Sequence, residues 1–338
     1  KMNKEEIRNK YKKKIKLIKD YNQKYYSENL SAISDSDYDK LKREILSLEK
    51  KYLYLRSKDS PTKTIGYKPS KNFKKAKHRV PMLSLANAFN EEDLLNFEKK
   101  IFNFLSQRNN FDISYTAEPK IDGISASLFY KNGKLTSGLS RGDGKEGEDI
   151  TSNLTTIKDI PKIILSKDFP EEIDIRGEVF IRNSDFESLK EKFANPRNAA
   201  SGSLRQKNSD DTKKIPLKFI AYTFGYEKGL KISNQFEYLK KLNEWGFKTN
   251  PLNRLIKGVK NLIKNYNEVE KKRAELDFDI DGIVYKVNEF TLQKRLGFVA
   301  NAPRSAIAHK FSSDKGISKI LDIDIQIGRT GALTPVAK

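Results

Sequence analysis

The stretch ISASLFYKNGKLTSGL, residues 124–139, carries the clearest structural signal in the chain. Apolar side chains recur at every second position, which is the period of a strand with one buried face. The alternating positions are Ile124, Ala126, Leu128 and Tyr130, and then Leu135, Ser137 and Leu139. Between the two runs, Asn132-Gly133 is a turn pair that joins adjacent antiparallel strands, because both residues tolerate positive φ. The stretch therefore predicts an antiparallel hairpin.

The same alternation continues through residues 173–181, 219–224 and 278–287. Helical spacing separates these strands at residues 235–245 and 259–276. A further helix is expected after Asn90, a cap residue followed by first-turn acids, with one apolar face formed by Leu94, Phe97, Ile101 and Phe104. Hairpins with intervening helices predict an α+β fold of antiparallel sheets with flanking helices, and they disfavour a doubly wound parallel sheet.

The two ends of the chain differ from this middle part. Residues 4–29 and the run from Tyr38 to Tyr52 have helical spacing and predict a small helical hairpin, with Ser34 or Ser36 capping the second helix. Pro61, Gly66 and Pro69 mark a linker after it. We therefore divide the chain into a helical module at 1–70, a main domain at 71–319 and a short segment at 320–338. One alternating strand is expected in that last segment, which is too little for a domain of its own.

Composition narrows the possible functions. Lys and Arg number 66 and Asp and Glu 45, which gives a formal net charge of +21. Such a charge fits a polyanionic partner such as nucleic acid, but a lysine-rich composition that only favours solubility stays open. The absence of cysteine excludes a disulfide framework, a thiolate nucleophile and a cysteine-based zinc site, and only His78 and His309 are present. No apolar run approaches 18 residues, so no membrane span is expected.

One motif in the chain is a poor match to its usual context. Residues 142–147 read G-x-G-x-x-G, but acids crowd the segment and no apolar helical stripe follows it. A dinucleotide-binding fingerprint needs a strand before it and a helix after it. We therefore interpret the segment as a flexible glycine-rich loop.

The segment Glu118-Pro119-Lys120-Ile121-Asp122-Gly123 has two interpretations. On a strand, Glu118, Lys120 and Asp122 share one face, and a surface ladder of charge pairs explains them without any function. Alternatively, Lys120 is a nucleophile, which requires its pKa to fall by about 3 units because a free lysine is almost wholly protonated at pH 7. Nearby cations and desolvation lower a lysine pKa, whereas the two acids oppose this unless they are engaged elsewhere.

Three later strands favour the second interpretation. Asp174, Arg176 and Glu178 alternate with an apolar set, and two apolar strands each carry one lysine, Lys286 and Lys310. Burying an unpaired ammonium is costly, so a phosphate between these lysines would explain them. The same cations would lower the pKa of Lys120 and hold the charge of a phosphoryl-transfer state.

This order of motifs resembles the covalent nucleotidyltransferases, and further segments are similar to bacterial NAD-dependent DNA ligases over essentially the whole chain. The first set is KIDG at 120–123, RGE at 176–178, DGIVYK at 281–286 and Lys310. The second is ISDSDYD at 33–39, DSPT at 59–62, HRVPMLSL at 78–85, RGDG at 141–144, NPRNAASGSLRQ at 195–206 and IGRTGALTPV at 327–336. The resemblance implies an ATP-grasp-like ligase fold in the main domain and the first strand of an OB barrel at the end of the chain.

The resemblance also implies a reaction. Lys120 attacks the α-phosphate of NAD, nicotinamide mononucleotide (NMN) leaves, and the lysyl-AMP later activates the 5′-phosphate of a nick in double-stranded DNA for attack by the 3′-hydroxyl. Residues implied to bind the adenylate half are Ser84, Leu85, Glu118, Arg141, Glu178, Tyr222, Lys286 and Lys310. Glu118 would read the adenine, Tyr222 would stack on it, and Lys286 and Lys310 would contact the α-phosphate. A strand aromatic in the core is the alternative for Tyr222.

The helical module is the part that the resemblance links to NAD rather than ATP. Residues implied to bind the NMN half are Tyr25, Tyr26, Asp35, Ser36, Asp37, Tyr38 and Asp39. Tyrosines stack on a cationic ring and carboxylates bind ribose hydroxyls, so the residue types fit. Tyr38 also starts the apolar stripe of its helix, and periodicity alone favours neither explanation.

The remaining implied residues are cationic or metal-binding. Arg197, Arg205 and Arg273 would contact DNA phosphates or the nucleotide, with a solvated basic face as the alternative. Asp122 and Asp281 would hold Mg²⁺, directly or through water. His78 and His309 are assigned no chemistry.

Several wider expectations follow from the resemblance. The family's four-cysteine zinc finger, its Zn²⁺ and its later domains are not expected in this chain, so nick sealing should be weak while adenylation of the enzyme survives. We expect a monomer that binds nicked duplex DNA, no membrane, and a bacterial cytoplasmic, nucleoid-associated location. An ATP- or GTP-using ligase or capping enzyme, and a non-catalytic nucleic-acid-binding module, are the alternatives.

Overall fold

The structure is a computed structural model, and it describes residues 3–27, 35–55, 60, 73–106, 113–312, 323–327 and 333–337. The described helices are α1 (Lys4–Ser27), α2 (Asp35–Lys51), α3 (Glu91–Phe104), α4 (Thr151–Leu154), α5 (Asn183–Phe186), α6 (Pro196–Leu204), α7 (Ser209–Lys213), α8 (Gln235–Glu244), α9 (Val259–Lys272) and α10 (Phe290–Leu296). Short 3₁₀ turns follow α2 at Leu53–Leu55 and α9 at Arg273–Glu275. None of these helices is long and apolar enough to cross a membrane.

The strands are short and numerous, as the alternating pattern predicts. They are β1 (Lys75–Lys77), β2 (Ala86–Ala88), β3 (Ser114–Ile121), β4 (Ile124–Lys131), β5 (Lys134–Ser140), β6 (Glu146–Glu148), β7 (Glu172–Phe180), β8 (Lys218–Lys228), β9 (Arg254–Lys257), β10 (Ile280–Val287), β11 (Phe298–Val299), β12 (Ala302–Pro303), β13 (Ala306–Lys310), β14 (Ile323–Ile327) and β15 (Leu333–Ala337).

Two larger sheets dominate residues 73–312, beside the two-stranded pairs β1-β6 and β11-β12. One has the order β2-β13-β10-β3-β9 and the other β5-β4-β7-β8. Every pairing within them is antiparallel except β2 with β13. Strands β3 and β4 are consecutive in the chain but belong to different sheets, so residues 120–124 lie where the chain crosses between them. The predicted α+β class with antiparallel sheets is confirmed.

The predicted hairpin forms, with Asn132 at φ 49° and Gly133 at φ 76°, the paired positive values of a tight two-residue turn. The alternation expected for its second strand is wrong at one point. The register shifts so that Leu135 lies opposite Tyr130 but Ser137 lies opposite Phe129. Thr136 is the extra residue of a bulge, so Leu135 and Ser137 face opposite sides of the sheet.

Each sheet packs on helices to make its own core. Tyr130, Phe219, Tyr238 and Phe247 belong to the core of the four-stranded sheet, and Leu94, Tyr115, Leu262 and Tyr285 to that of the five-stranded sheet. Helix α3 begins as predicted, because the Asn90 side chain accepts a hydrogen bond from the Asp93 amide. The last residue predicted for its apolar face is wrong: Phe104 is 49% exposed and Leu105 is buried instead.

Helices α1 and α2 pack against each other, as their periodicities predict. Ile7, Tyr11, Ile18, Leu41, Ile45 and Leu55 are buried between them. The buried carboxylate of Glu49 accepts hydrogen bonds from Tyr11 and Ser60, which ties the start of the predicted linker to the helices. The predicted cap residue Ser34 lies outside the described residues, and Ser36 lies inside α2 rather than before it.

Two further expectations need correction. The segment after residue 320 holds two paired strands rather than one, β14 and β15, with Ile325 opposite Pro335. The second strand was not predicted because it contains Pro335, and proline lacks the backbone N–H that donates to a neighbouring strand. The glycine-rich segment is a built turn rather than a flexible loop, since Asp143 Oδ1 accepts from the amides of Lys145 and Glu146, and β6 pairs with β1. A strand, β6, begins inside this motif where a dinucleotide-binding fingerprint needs the start of a helix, so rejecting that fingerprint is supported.

Candidate active site

One cavity, of about 800 Å³, collects most of the predicted site residues. It lies where residues of the two sheets face each other, with β3, β10 and β13 on one side and β7 and β8 on the other. The predicted residues that line it are Tyr38, Ser84, Leu85, Glu118, Lys120, Arg141, Glu178, Arg197, Arg205, Tyr222, Lys286 and Lys310. Arg273, Asp122 and Asp281 are not among the described lining residues.

Lys120 stands near the end of β3, where its register partner is Gly282 of β10. Its Nζ lies 3.1 Å from Asp281 Oδ2, and Lys310 Nζ lies 3.2 Å from the same oxygen. A Cβ on Gly282 would stand 2.4 Å from the His309 carbonyl oxygen, so only glycine allows β10 and β13 to approach this closely. The close approach brings Lys120, Asp281 and Lys310 together although 161 residues separate the first two.

The carboxylate of Asp281 dominates the electrostatics of this cluster. Burial by itself raises the pKa of Asp281, but the ammonium groups of Lys120 and Lys310 outweigh burial and lower it to about 2. Its second oxygen, Oδ1, is buried and finds no hydrogen-bond partner among the described residues. The cations expected beside Lys120 therefore include Lys310, and the carboxylate of Asp281 lies between these two lysines.

Glu118 and Lys286 form a second ion pair, on the same cavity wall. Lys286 Nζ lies 2.9 Å from Glu118 Oε1, and both side chains are at most 14% exposed. The other oxygen, Glu118 Oε2, accepts from Thr116 Oγ1 at 2.7 Å and Gln235 Nε2 at 3.2 Å. The lysine predicted on β10 is thus partly buried with an acid partner, and its ammonium lies 5.2 Å from the ring centroid of Tyr222.

Glu178 projects from β7 into the cavity beside two hydroxyls. Its Oε2 accepts from Ser125 Oγ at 3.0 Å and Tyr222 OH at 3.3 Å. Burial raises the pKa of Glu178 to about 7, against the opposing effects of the Lys120 charge and the Ser125 hydroxyl. Near neutral pH this carboxyl group therefore exists in both protonation states.

Two arginines fix the chain segment that carries Ser84 and Leu85. Arg141 donates to Ser84 Oγ at 3.0 Å and to the Met82 carbonyl at 3.4 Å. Arg176, buried on β7, donates to the carbonyls of Val80 and Pro81. This segment forms one wall of the cavity.

The predicted DNA-contact arginines have different surroundings. Arg197 Nη1 lies 2.9 Å from Asp122 Oδ1, and Arg205 Nη2 lies 3.2 Å from the buried Glu148 Oε1. Burial lowers the pKa of Arg197 to about 10. Arg273 lies apart from them, with its Nε on the Ile280 carbonyl and its guanidinium 5.1 Å from the Phe311 ring centroid.

The predicted residues of the helical module are only partly described. Tyr38 is half-buried and lines the cavity together with Tyr21, while Asp37 is exposed. The side chains of Tyr25, Tyr26, Asp35, Ser36 and Asp39 lie outside the described residues. Of the two predicted metal ligands, Asp122 pairs with Arg197 and Asp281 with Lys120 and Lys310. No group of three metal-ligating side chains occurs in the described ranges.

Four features in or beside the cavity were not predicted from the sequence. Asp281 acts as a shared partner of two lysines, Gln235 contacts Glu118, Ser125 contacts Glu178, and Tyr21 joins the lining. Gln235 follows the helix cap Asn234 and looked like an ordinary first-turn residue. No local pattern marks these residues, because each depends on contacts between elements distant in the sequence.

Comparison with known proteins gives consistent matches over both parts of the chain. Residues 70–314 match the family model of the NAD-dependent DNA ligase adenylation domain. Residues 4–66 match that of the DNA ligase-like N-terminal NAD⁺-binding domain.

Relatives with curated names agree with these family matches. A DNA ligase of Pelagibacter ubique (strain HTCC1062) is 67% identical over 100% of this chain and 50% of its own length. A DNA ligase of Xanthobacter autotrophicus (strain ATCC BAA-1158 / Py2) is 47% identical over 93% of this chain and 45% of its own. The chain thus spans about half the length of the curated relatives it matches.

Likeness to solved structures is weaker. An ATP-dependent DNA ligase from bacteriophage T7 in complex with ATP overlaps at a TM-score of 0.34 and 16% identity, over 75% of this chain and 79% of that one. An overlap at this level bears on neither fold nor function, so the assignment depends on the sequence matches. By those matches the chain belongs to the NAD-dependent DNA ligase family and contains its N-terminal NAD⁺-binding domain and its adenylation domain.

Proposed function

We propose that this chain performs the adenylation step of DNA ligation, with NAD as the adenylate donor. The amine of Lys120 attacks the α-phosphorus and forms a P–N bond. The bond between that phosphorus and the bridging oxygen of the pyrophosphate breaks, so NMN leaves with the oxygen and the amine loses a proton. The product is a lysyl-AMP phosphoramidate.

The observation that carries this proposal is the cluster of Lys120, Asp281 and Lys310, whose two lysines line the cavity. Asp281 holds the nucleophile and a second cation within hydrogen-bond distance of one oxygen. A carboxylate with a pKa of about 2 is a poor proton acceptor. We therefore assign Asp281 to orienting Lys120, and Lys310 to binding the α-phosphate. When the α-phosphate binds, it would replace the Asp281 carboxylate as the partner of the two lysines.

The other lining residues fit the rest of an adenylate. Lys286, which the resemblance assigns to the α-phosphate, pairs with Glu118 instead, so the two present an acceptor beside a donor, which suits a base edge. The Tyr222 ring is available for stacking beside them. Arg141 and Glu178 offer a donor and an acceptor for ribose hydroxyls, with Ser84 and Leu85 on the adjoining wall. At the helical module, Tyr21 and Tyr38 suit the nicotinamide ring, together with the predicted Tyr25, Tyr26, Asp35, Ser36, Asp37 and Asp39.

Mg²⁺ fits one of the two predicted carboxylates better than the other. Asp281 Oδ1 is a buried acceptor with no described partner, whereas Asp122 is engaged by Arg197. Mg²⁺ commonly binds one or two carboxylates together with phosphate oxygens. Asp281 would hold the ion, which when bound would neutralise charge on the substrate phosphates.

The later steps of ligation extend the proposal to a second substrate. We propose that AMP passes from Lys120 to the 5′-phosphate of nicked duplex DNA, with Arg197, Arg205 and Arg273 serving phosphates. The net charge of +21 supports binding to such a polyanion. We further propose that the protein is a monomer located at the bacterial nucleoid, in the cytoplasm. The proposed domain boundaries follow residues 70 and 319.

Intact-mass measurement after incubation with Mg²⁺ and either NAD or ATP tests the adenylation step. We expect a gain of one adenylyl group from NAD, located on Lys120 by peptide mapping and absent from Lys120→Ala. The exposed Lys158→Ala serves as the matched control and should react like the wild type. A gain from ATP but not NAD contradicts the donor, and no gain from either contradicts the function.

A further inference from the structure

The hydrogen bonds around Glu118 leave a definite acceptor capacity on its carboxylate. Each carboxylate oxygen accepts about two hydrogen bonds. Oε2 accepts two, from Thr116 Oγ1 and Gln235 Nε2, and Oε1 accepts one, from Lys286 Nζ. Glu118 is 4% exposed, so water does not compete freely for the remaining position. With respect to the part of the chain that the structure describes, one acceptor position is left, on Oε1 and next to the Lys286 ammonium.

Gln235 makes this arrangement rigid. Its Nε2 donates to Glu118 Oε2 at 3.2 Å and to the Tyr222 carbonyl at 2.7 Å, so both amide hydrogens have acceptors and the orientation of the amide is determined. The side chain is 1% exposed. Its backbone amide donates to the Asn288 carbonyl, which fixes Gln235 at the start of α8.

Gln235 also links the two walls of the cavity. Glu118 belongs to β3 in the five-stranded sheet, whereas Tyr222 belongs to β8 in the four-stranded sheet. Lys286 reinforces the link, because its Nζ lies 3.4 Å from the same Tyr222 carbonyl. The amide of Gln235 therefore fixes both the direction of the Glu118 carboxylate and its distance from the strand that carries the Tyr222 ring.

An acceptor beside a cationic donor matches one purine edge and opposes another. Adenine offers an amino donor at position 6 beside the N1 acceptor, whereas hypoxanthine offers an oxo acceptor at position 6 beside an N1–H donor. A site built to hydrogen-bond one pattern rejects the other strongly, because its buried polar groups are then left unpaired. If Oε2 lost a donor, the carboxylate could accept from N1–H while Lys286 donated to the oxo group.

We propose that Gln235 is a positioning residue that makes the site selective for a 6-amino purine, by occupying Glu118 Oε2 and holding the carboxylate in one orientation. The inference rests on the proposed function, since it concerns the base of the same adenylate. It assigns Gln235 no contact with the reacting atoms.

The test compares rates of lysyl-nucleotide formation from NAD and from nicotinamide hypoxanthine dinucleotide in separate reactions. The wild-type chain should prefer NAD by about 100-fold or more in kcat/KM. Gln235→Leu should reduce that ratio at least about tenfold by removing both amide donors. A ratio within twofold of the wild-type value would overturn the proposal.

Asn153→Leu is the matched control. Asn153 is also 1% exposed, and its Nδ2 donates to two carbonyls, those of Leu204 and Gln206, but it does not line the cavity. Asn153→Leu should lower thermal stability about as much as Gln235→Leu does. It should leave the ratio of kcat/KM between the two dinucleotides unchanged. If Gln235→Leu does not fold, Thr116→Val, which removes the other Oε2 donor, replaces it with the same expected direction and the same overturning result.

A binding measurement separates this inference from the proposed function. If the wild-type chain forms no adduct with NAD, adenylation fails as a proposal, and dissociation constants for AMP and IMP by calorimetry decide the role of Gln235. A wild-type preference for AMP that falls at least about tenfold in Gln235→Leu supports it. An equal fall in Asn153→Leu, an unchanged preference, or no binding of either nucleotide overturns it.

Discussion

Lys120 and Lys310 donate to the same carboxylate oxygen, Asp281 Oδ2, at 3.1 and 3.2 Å. Two ammonium groups on one oxygen repel each other, and Asp281 is what keeps them together in the absence of a phosphate. The Asp281 carboxylate therefore holds both ammonium groups at the cavity wall and partly neutralises their charge. An anionic ligand would compete with Asp281 for the lysines.

The depressed pKa of Asp281 predicts a stability difference that depends on pH. Its ordinary pKa of 3.8 falls to about 2 in the folded chain, so the folded state keeps the charge that the unfolded state loses first. Stability from this group is present above pH 3.8 and lost as pH falls towards 2. The stability advantage of the wild type over Asp281→Asn should therefore shrink between pH 4 and pH 2, as measured by urea unfolding.

The exposed pair of Asp211 with Lys214 provides the comparison. Both side chains are more than half exposed, so Asp211→Asn should change stability little at either pH. If the difference between wild type and Asp281→Asn stayed constant across this range, the ion cluster would not be the source of the stability.

Glu178 predicts the opposite sign in a higher pH range. Burial raises its pKa from 4.5 to about 7, so the folded state binds the proton more tightly than the unfolded state. The stability associated with Glu178 is fully present below pH 4.5 and is lost as pH rises through 7. Removing the ionisable group with Glu178→Gln should flatten this loss.

Melting temperatures of the two proteins at half-unit steps from pH 4.5 to 8 check the prediction. His309 also titrates within the folded chain, since burial lowers its pKa to about 4. Because His309 is the same in both proteins, subtracting the two curves removes its contribution. A difference curve with no slope between pH 5 and 7.5 would contradict the raised pKa of Glu178.

How far the sequence predicts this molecule depends on the distance over which each contact acts. Local periodicity correctly located α1, α2, α3, α8 and α9 and the hairpin at residues 132–133, since turn chemistry and side-chain alternation act over a few residues. It missed the shorter helices α4 to α7 and α10. It failed for Phe104 and Leu105, because a helical stripe drifts by a residue at its end and only packing decides which side chain is buried. Strand β15 was missed because Pro335 lies in it.

The site shows the same division. Motif resemblance selected Lys120, Glu178 and Lys310, which the structure brings to one cavity, although their catalytic roles stay predictions. The partner of each cation did not follow from the sequence. Pairing of both Lys120 and Lys310 with Asp281 requires the order β13-β10-β3 within one sheet, which no local pattern contains.

The corrected face of α3 is testable by stability. Ile101 is 1% exposed, so Ile101→Ala should cost about 2–5 kcal/mol of unfolding free energy through lost burial and the cavity that remains. Phe104 is 49% exposed and contacts the Arg304 guanidinium, so Phe104→Ala should cost below about 1 kcal/mol. Chemical unfolding of both variants measures the difference, and equal costs would place Phe104 back on the buried face.

Gly225 and Arg176 are predicted to be coupled. A Cβ at Gly225 would stand 2.5 Å from the guanidinium carbon of Arg176, which is itself held by the carbonyls of Val80 and Pro81. Gly225 has no positive φ, so backbone strain does not contribute to a substitution there. Gly225→Ala should therefore destabilise the chain by about 1–3 kcal/mol through displacement of Arg176.

A double-mutant cycle isolates that cause. In Arg176→Met the flexible side chain leaves room for a methyl group, so adding Gly225→Ala should cost less than about 0.5 kcal/mol. A smaller cost in the Arg176→Met background would show that position 225 needs glycine because a side chain there displaces the Arg176 guanidinium. That guanidinium holds the wall segment that carries Ser84 and Leu85. Additive costs in the two backgrounds would instead mean that the methyl group collides with something other than Arg176.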